Sequence, residues 1–192
     1  LAGYLEDAAT IVDIGANVGD SLAAMVERNP AANYICIEPD DMFHAYLERN
    51  AARIGQAVPG TRIRLVKALV GQAISNVSLG GTGGTKHAVT GGSGTISSQP
   101  FGALIPDAAE LNIRLLKSDV DGFDYDVLDS ALPIIAAQGP MLFFECYQTQ
   151  EYQKAGYART LRALDAAGYR DWTVFDNFGE VMLRTADAAA ID

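Results

Sequence analysis

Short β-branched runs alternate with amphipathic stretches along most of the chain, the pattern of an open parallel sheet wrapped by helices. Thr10–Ile14 reads as a first strand, followed by a glycine turn and a helix from Ser21 to Arg28 that Pro30 stops. Tyr34–Glu38 reads as a second strand, and Asp40 or Asp41 caps a helix running to Ile54. Arg62–Val70 is a third strand, closed by Gly71. From Ala73 to Phe101 the rhythm breaks. Gly80-Gly81-Thr82-Gly83-Gly84 and Gly91-Gly92-Ser93-Gly94 exclude a helix and predict a hairpin or loop insertion near a site, with an interdomain linker as the competing reading.

Regularity returns with a strand at Ile113–Asp119 and a helix from Tyr125 to Ala137, interrupted at Pro133. Met141–Cys146 is the next strand, and Tyr157–Ala167 a helix closed by Gly168. Trp172–Phe175 and Val181–Arg184 predict a hairpin across Asp176-Asn177-Phe178-Gly179-Glu180, and the tail Thr185–Asp192 is expected to fray. The sum is a Rossmann-like three-layer α/β sandwich. Its sheet is mostly parallel and seven-stranded, about six strands parallel, with a terminal antiparallel hairpin. All 192 residues are expected to form one domain, with 73–101 as an insertion.

Composition narrows the classes. Apolar residues make up 49% and charged residues 20%, an ordinary globular balance. No apolar run approaches the roughly 20 residues of a membrane span. Fourteen basic against 24 acidic residues leave a net charge of −10, which repels nucleic acid and tolerates a neutral or cationic ligand. Cys36 and Cys146 each sit in an apolar run and read as buried thiols. No secretory signal opens the chain, so a cytoplasmic location is expected.

The informative segment is Val12-Asp13-Ile14-Gly15-Ala16-Asn17-Val18-Gly19-Asp20, which leaves a strand and enters a helix. The dinucleotide fingerprint G-x-G-x-x-G fails twice when counted from Gly15, and Asp13 and Asp20 would set negative charge beside a pyrophosphate. Those acids suit a phosphate-free cofactor with a positive centre. D-x-G-x-N-x-G is the S-adenosylmethionine form of this loop, and Asp13, Gly15, Asn17 and Gly19 complete it. Glu38, about 20 residues after the loop, is placed to accept ribose hydroxyls. Adenine is expected near Lys67-Ala68-Leu69, with Ala68 as a contact.

Carboxylates also gather at Ser118-Asp119-Val120-Asp121-Gly122-Phe123-Asp124 and at Glu145, both at strand ends where open α/β sheets bind ligands. Asp119 is expected to face the cofactor's methyl region, with Asp121 or Glu145 as base or hydroxyl anchor. A divalent cation bridging Asp119, Asp121 and Glu145 is a secondary reading and is not the favoured one. His87, in the glycine-rich stretch, is the other candidate base, whereas His44 reads as a surface residue. Tyr147, Trp172, Phe175 and Phe178 are candidates for an acceptor pocket, Trp172 and Phe175 reading rather as core; Asn177 and Phe178 stay open.

Taken with Cys36-Ile37-Glu38-Pro39, Leu116-Lys117-Ser118-Asp119-Val120-Asp121-Gly122 and Phe144-Glu145, the glycine loop resembles the FkbM-type family of methyltransferases, in order and spacing from Ile11 to Arg184. That family's fourth-strand wording is K-x-D-x-E-G-x-E; Asp121 and Asp124 stand here where glutamates are common, which shortens their reach. The resemblance implies a class I methyltransferase fold, S-adenosylmethionine as methyl donor, and O-methylation of a sugar or natural-product hydroxyl, so a small-molecule or glycan acceptor. A dinucleotide-dependent oxidoreductase and a non-catalytic nucleoside-binding or scaffold domain are the competing readings, with N-methylation as a milder alternative to O-methylation.

Overall fold

The computed structural model describes residues 1–72, 78–80, 87–89 and 96–191, with 78–80 and 87–89 described by backbone alone. Five strands form the central sheet: β1 (Thr10–Ile14), β2 (Asn33–Ile37), β3 (Arg62–Val66), β8 (Ile113–Ser118) and β9 (Met141–Phe144). Their order is β3-β2-β1-β8-β9, every pairing parallel. The chain winds outward one way from β1 to β3 and the other way from β8 to β9. The topological switch point, where such sheets open a crevice, therefore lies between β1 and β8.

Alternation along the strands explains the layers. Ile11, Tyr34, Cys36 and Leu115 face Leu22 and Val26 of α1 (Asp20–Arg28) and Leu47 and Ala51 of α2 (Asp41–Ala57). Val12, Ile14, Ile35, Ile37 and Leu116 face the other way. They pack with Val127, Leu128 and Ile135 of α4 (Asp124–Gln138) and Leu161 and Leu164 of α5 (Glu151–Ala166). β1 is buried at every position, whereas β9 exposes alternate residues as an edge strand. Asp40 caps α2 as read from the sequence, its Oδ1 accepting from the amides of Met42 at 3.0 Å and Phe43 at 3.1 Å.

Several boundaries differ from the sequence reading. The central sheet has five strands rather than seven among the described residues. The closing hairpin, β10 (Trp172–Phe175) with β11 (Val181–Thr185), forms a separate two-stranded sheet among the described residues and breaks register at Val174/Phe175. Trp172 turns into the core, but Phe175, expected there too, is exposed on the hairpin together with Phe178. The third strand ends at Val66. Leu69–Val70 (β4) instead pairs with Ser98–Gln99 (β7), just before the short helix α3 (Phe101–Leu104). α4 runs through Pro133, because Val127, Leu128, Ala131 and Ile135 bury one continuous face on either side of it. α5 begins six residues earlier than read, fixed by a reciprocal capping box between Gln150 and Gln153. The tail holds a 3-10 turn at Ala188–Ala190 with Ala188 buried, rather than fraying.

Within the glycine-rich stretch, Ser78–Gly80 (β5) and His87–Val89 (β6) pair antiparallel. The rest of its glycine runs lie outside the described residues. No helix among the described residues is long and apolar enough to cross a membrane.

Candidate active site

The parallel ladder continues one residue past the end of each strand at the carboxyl edge of the sheet. The Glu38 amide donates to the Val66 carbonyl at 3.1 Å and the Gly15 amide to that of Ile37 at 3.0 Å. Further along, the Asp119 amide donates to the Ile14 carbonyl at 3.0 Å and the Glu145 amide to that of Ser118 at 3.3 Å. Glu38, Gly15, Asp119 and Glu145 thus stand in one row across the switch point, neighbours separated by roughly one interstrand spacing of ~4.8 Å. Four residues chosen from sequence are brought together by one feature of sheet geometry.

The glycine loop hangs from β2. Gly15 and Ala16 both donate to the Ile37 carbonyl, and the Gly19 amide closes a turn onto the Ala16 carbonyl at 2.8 Å. Gly15 takes φ +77°, and a Cβ there would lie 2.0 Å from the Asp119 carbonyl oxygen. Its missing side chain therefore admits the β8 turn. Gly19, at φ +90°, would press a Cβ to 2.9 Å from a methyl of Leu47. Asn17 also lies in the left-handed region, at φ +48°, a conformation asparagine tolerates better than most residues. Its amide donates to Glu38 Oε2 at 2.9 Å, and the Asp40 amide donates to Oε1 at 2.9 Å. The Glu38 carboxylate, almost wholly buried, is thereby locked beside the loop.

Asp13 is fully buried one residue before the strand end and is held from two sides. Ser21 donates to Oδ2 at 2.5 Å from the first turn of α1, and Lys117 Nζ lies 3.0 Å from Oδ1. The same ammonium reaches Asp119 Oδ2 at 3.6 Å. Burial alone would lower the Lys117 pKa, but the Asp13 and Asp119 carboxylates outweigh it and the net shift is upward. Lys117 is thus a partly buried cation tying the loop to the acidic edge. Its signal in the sequence is a lysine that directly follows Leu115-Leu116 in the strand. Cys36, adjacent to Asp13 in register, is buried, and that burial, helped by the carboxylate, pushes its thiol pKa far up. Cys146 is exposed, contrary to the reading from its apolar run, because it lies just past the edge strand.

Asp119 points outward, its side chain 56% exposed. Asp121 follows in the left-handed region at φ +53°. Glu145, though exposed at the surface, is shifted upward from the ordinary glutamate value, first by desolvation and then by the charges of Asp119 and Asp121. Asp124, which sequence reasoning noted without giving it a role, is completely buried at the start of α4. Ala68 is half-buried against the core near the β3 end. His87 lies on β6, its side chain outside the described residues. His44, read as a surface residue, is buried on α2 and sits 3.7 Å from Glu48. Tyr147 is exposed beside Gly122, where a glycine Cβ would stand 3.0 Å from its ring. Among the described residues no three His, Cys, Asp or Glu side chains are grouped to hold a metal ion, so Asp119, Asp121 and Glu145 do not form the bridging set considered from sequence.

A family model described as the methyltransferase FkbM domain matches residues 13–170, from the buried aspartate of β1 to beyond α5. The chain belongs to the FkbM methyltransferase family. The match includes the loop residues Asp13 to Gly19, Glu38 and the acidic edge from Asp119 to Glu145. A solved structure of methyltransferase FkbM from Methylobacillus flagellatus KT is similar at a TM-score of 0.65 and 21% identity. That alignment covers 93% of this chain and 44% of the other, so this chain spans less than half the length of that relative. A precorrin-6y C5,15-methyltransferase from Geobacter metallireducens GS-15 is similar at a TM-score of 0.54 and 11% identity, over 90% of this chain and 69% of the other. Both likenesses are likenesses of fold. No curated protein matches the chain. Membership in a methyltransferase family sets the oxidoreductase reading aside.

Proposed function

We propose that this FkbM-family chain is a single-domain S-adenosylmethionine-dependent O-methyltransferase, acting in the cytoplasm on a hydroxyl of a small-molecule or glycan acceptor. The row of Glu38, Gly15, Asp119 and Glu145 along the carboxyl edge carries the reading. It sets a ribose-accepting carboxylate, a glycine loop and two further carboxylates in sequence across the crevice. The donor set fits the cofactor: carboxylates with no facing arginine or lysine cluster among the described residues suit a phosphate-free cationic nucleoside and would repel a pyrophosphate.

When bound, S-adenosylmethionine supplies an electrophilic methyl on a sulfonium. Glu38 would hold the ribose hydroxyls, the Asn17–Gly19 loop the amino-acid end, and Ala68 a face of the adenine. Asp119 would orient the acceptor hydroxyl, and Glu145 would take its proton as the oxygen's new bond to the methyl carbon replaces the carbon–sulfur bond, whose electron pair stays on sulfur. A carboxylate already raised by burial and like charge is a better base near neutral pH, worth about 10²–10⁴-fold in rate when in reach. Orientation of the two reactants contributes on the order of 7–11 kcal/mol.

The test is incubation with methyl-labelled S-adenosylmethionine and a panel of sugars and hydroxylated natural products, read by mass spectrometry of the products. Label on oxygen is expected. Label on nitrogen only would replace the O-transfer reading. Cofactor binding without transfer to any acceptor would favour a non-catalytic domain.

A further inference from the structure

Behind the acidic edge, one buried carboxyl group joins the ends of two strands. Ser118, the last residue of β8, donates its hydroxyl to Asp124 Oδ1 at 2.6 Å, and the Val120 amide donates to the same oxygen at 3.3 Å. Oδ2 lies 3.5 Å from the Tyr157 hydroxyl of α5. That hydroxyl has one proton, and it donates to the Glu145 carbonyl oxygen at the shorter distance of 2.9 Å. With that proton engaged, the Tyr157 oxygen facing Oδ2 is an acceptor. A neutral Asp124, carrying its proton on Oδ2, donates into it and completes a directed chain from Ser118 through Asp124 and Tyr157 to Glu145. An ionised Asp124 sets one acceptor against another across that contact.

We propose that neutral Asp124 is a positioning residue that, through Tyr157, fixes the turn bearing Asp119 relative to Glu145. The inference rests on the reading of that edge as the methyl-transfer site. Because the Asp119 carbonyl is packed where a Gly15 side chain would lie, the same chain also steadies the cofactor loop.

The surroundings favour the neutral form. The charged groups facing Asp124 are Asp119 from the β8 turn and Glu145 from the end of β9, with the Tyr157 phenol facing it from α5. Burial raises the Asp124 pKa to about 7; the Ser118 hydrogen bond opposes this, while Asp119 and Glu145 add to it. Tyr157 is itself raised, chiefly by burial, so it stays protonated beside neutral Asp124. The folded chain therefore keeps a proton that the unfolded chain has released. The contribution of neutral Asp124 to stability falls as pH rises from the ordinary aspartate range through about 7.

The experiment is calorimetric titration of S-adenosylhomocysteine into the wild type, Asp124→Asn, Asp124→Ala and Tyr157→Phe between about pH 5.5 and about pH 8.5, with thermal unfolding followed over the same range. Asparagine keeps an acceptor for Ser118 and a donor for Tyr157, so it mimics the neutral acid. Wild-type affinity should fall several-fold with rising pH, whereas Asp124→Asn stays flat at the wild-type low-pH value. Asp124→Ala and Tyr157→Phe should bind about tenfold more weakly even at low pH. Parallel pH curves for wild type and Asp124→Asn, or an asparagine variant as weak as alanine, would overturn the proposal. If no variant binds the nucleoside, the cofactor reading has failed. The unfolding curves then decide: a midpoint that falls with pH in the wild type but not in Asp124→Asn upholds neutral Asp124, and equal slopes reject it.

Discussion

A Cβ placed on Gly15 would lie 2.0 Å from the carbonyl oxygen of Asp119, so the cofactor loop and the acidic turn share a boundary with no room for a methyl group. Gly15→Ala must move one of the two, and it also forces alanine into the left-handed region at φ +77°. The expected cost is roughly 2–4 kcal/mol of unfolding free energy. S-adenosylhomocysteine affinity should fall at least about tenfold, since the displaced loop is the proposed binding element. Urea unfolding and titration read both; an unchanged pair would mean that the loop tolerates displacement and is not what the nucleoside recognises.

Lys117 is the counter-charge beneath the site. Lys117→Met leaves the buried Asp13 carboxylate with Ser21 but no cation, and should cost roughly 3–5 kcal/mol. Adding Asp13→Asn removes the stranded charge and should recover most of that loss. A double variant no better than the single one would show that the lysine stabilises by packing instead.

The Glu38 carboxylate is held by an amide on each oxygen. Glu38→Gln turns an NH₂ group toward one of those amides and removes the charge offered to the ribose. Affinity for S-adenosylhomocysteine should drop about 10–100-fold, as for loss of one or two charge-assisted bonds. Unchanged binding would remove Glu38 from the cofactor site.

Asp119 acts on Glu145 through space. Burial is the largest cause of the upward shift at Glu145, and the Asp119 charge is the next. Asp119→Asn should therefore lower the Glu145 titration toward the ordinary glutamate range, seen by carboxyl carbon NMR, and should nearly abolish methyl transfer with folding intact. An unmoved titration would mean that the two carboxyls are not electrostatic neighbours in solution.

What was legible in the sequence was what local chemistry decides. The strand Thr10–Ile14, its glycine loop and the Asp40 cap all lie within a few residues of their own signals. The site followed from them, because parallel pairing places the first residue after each central strand in one row. Features set by distant partners were not legible. Cys146 and Phe175 were read as buried from apolar neighbours, yet one lies just past the edge strand and the other on a hairpin that does not cover it. His44 could have been placed better, since it shares a helical face with Leu47 and Ala51 at three- and seven-residue spacing. The buried bond between Asp124 and Tyr157 spans 33 residues and two helices, and no local pattern announces it.

The central claim is that the crevice over β1 and β8 holds a phosphate-free sulfonium nucleoside. Calorimetric titration with S-adenosylmethionine, S-adenosylhomocysteine and NAD tests it most directly. Saturable binding of the first two and none of the third is the predicted result; NAD binding, with neither nucleoside bound, would contradict it.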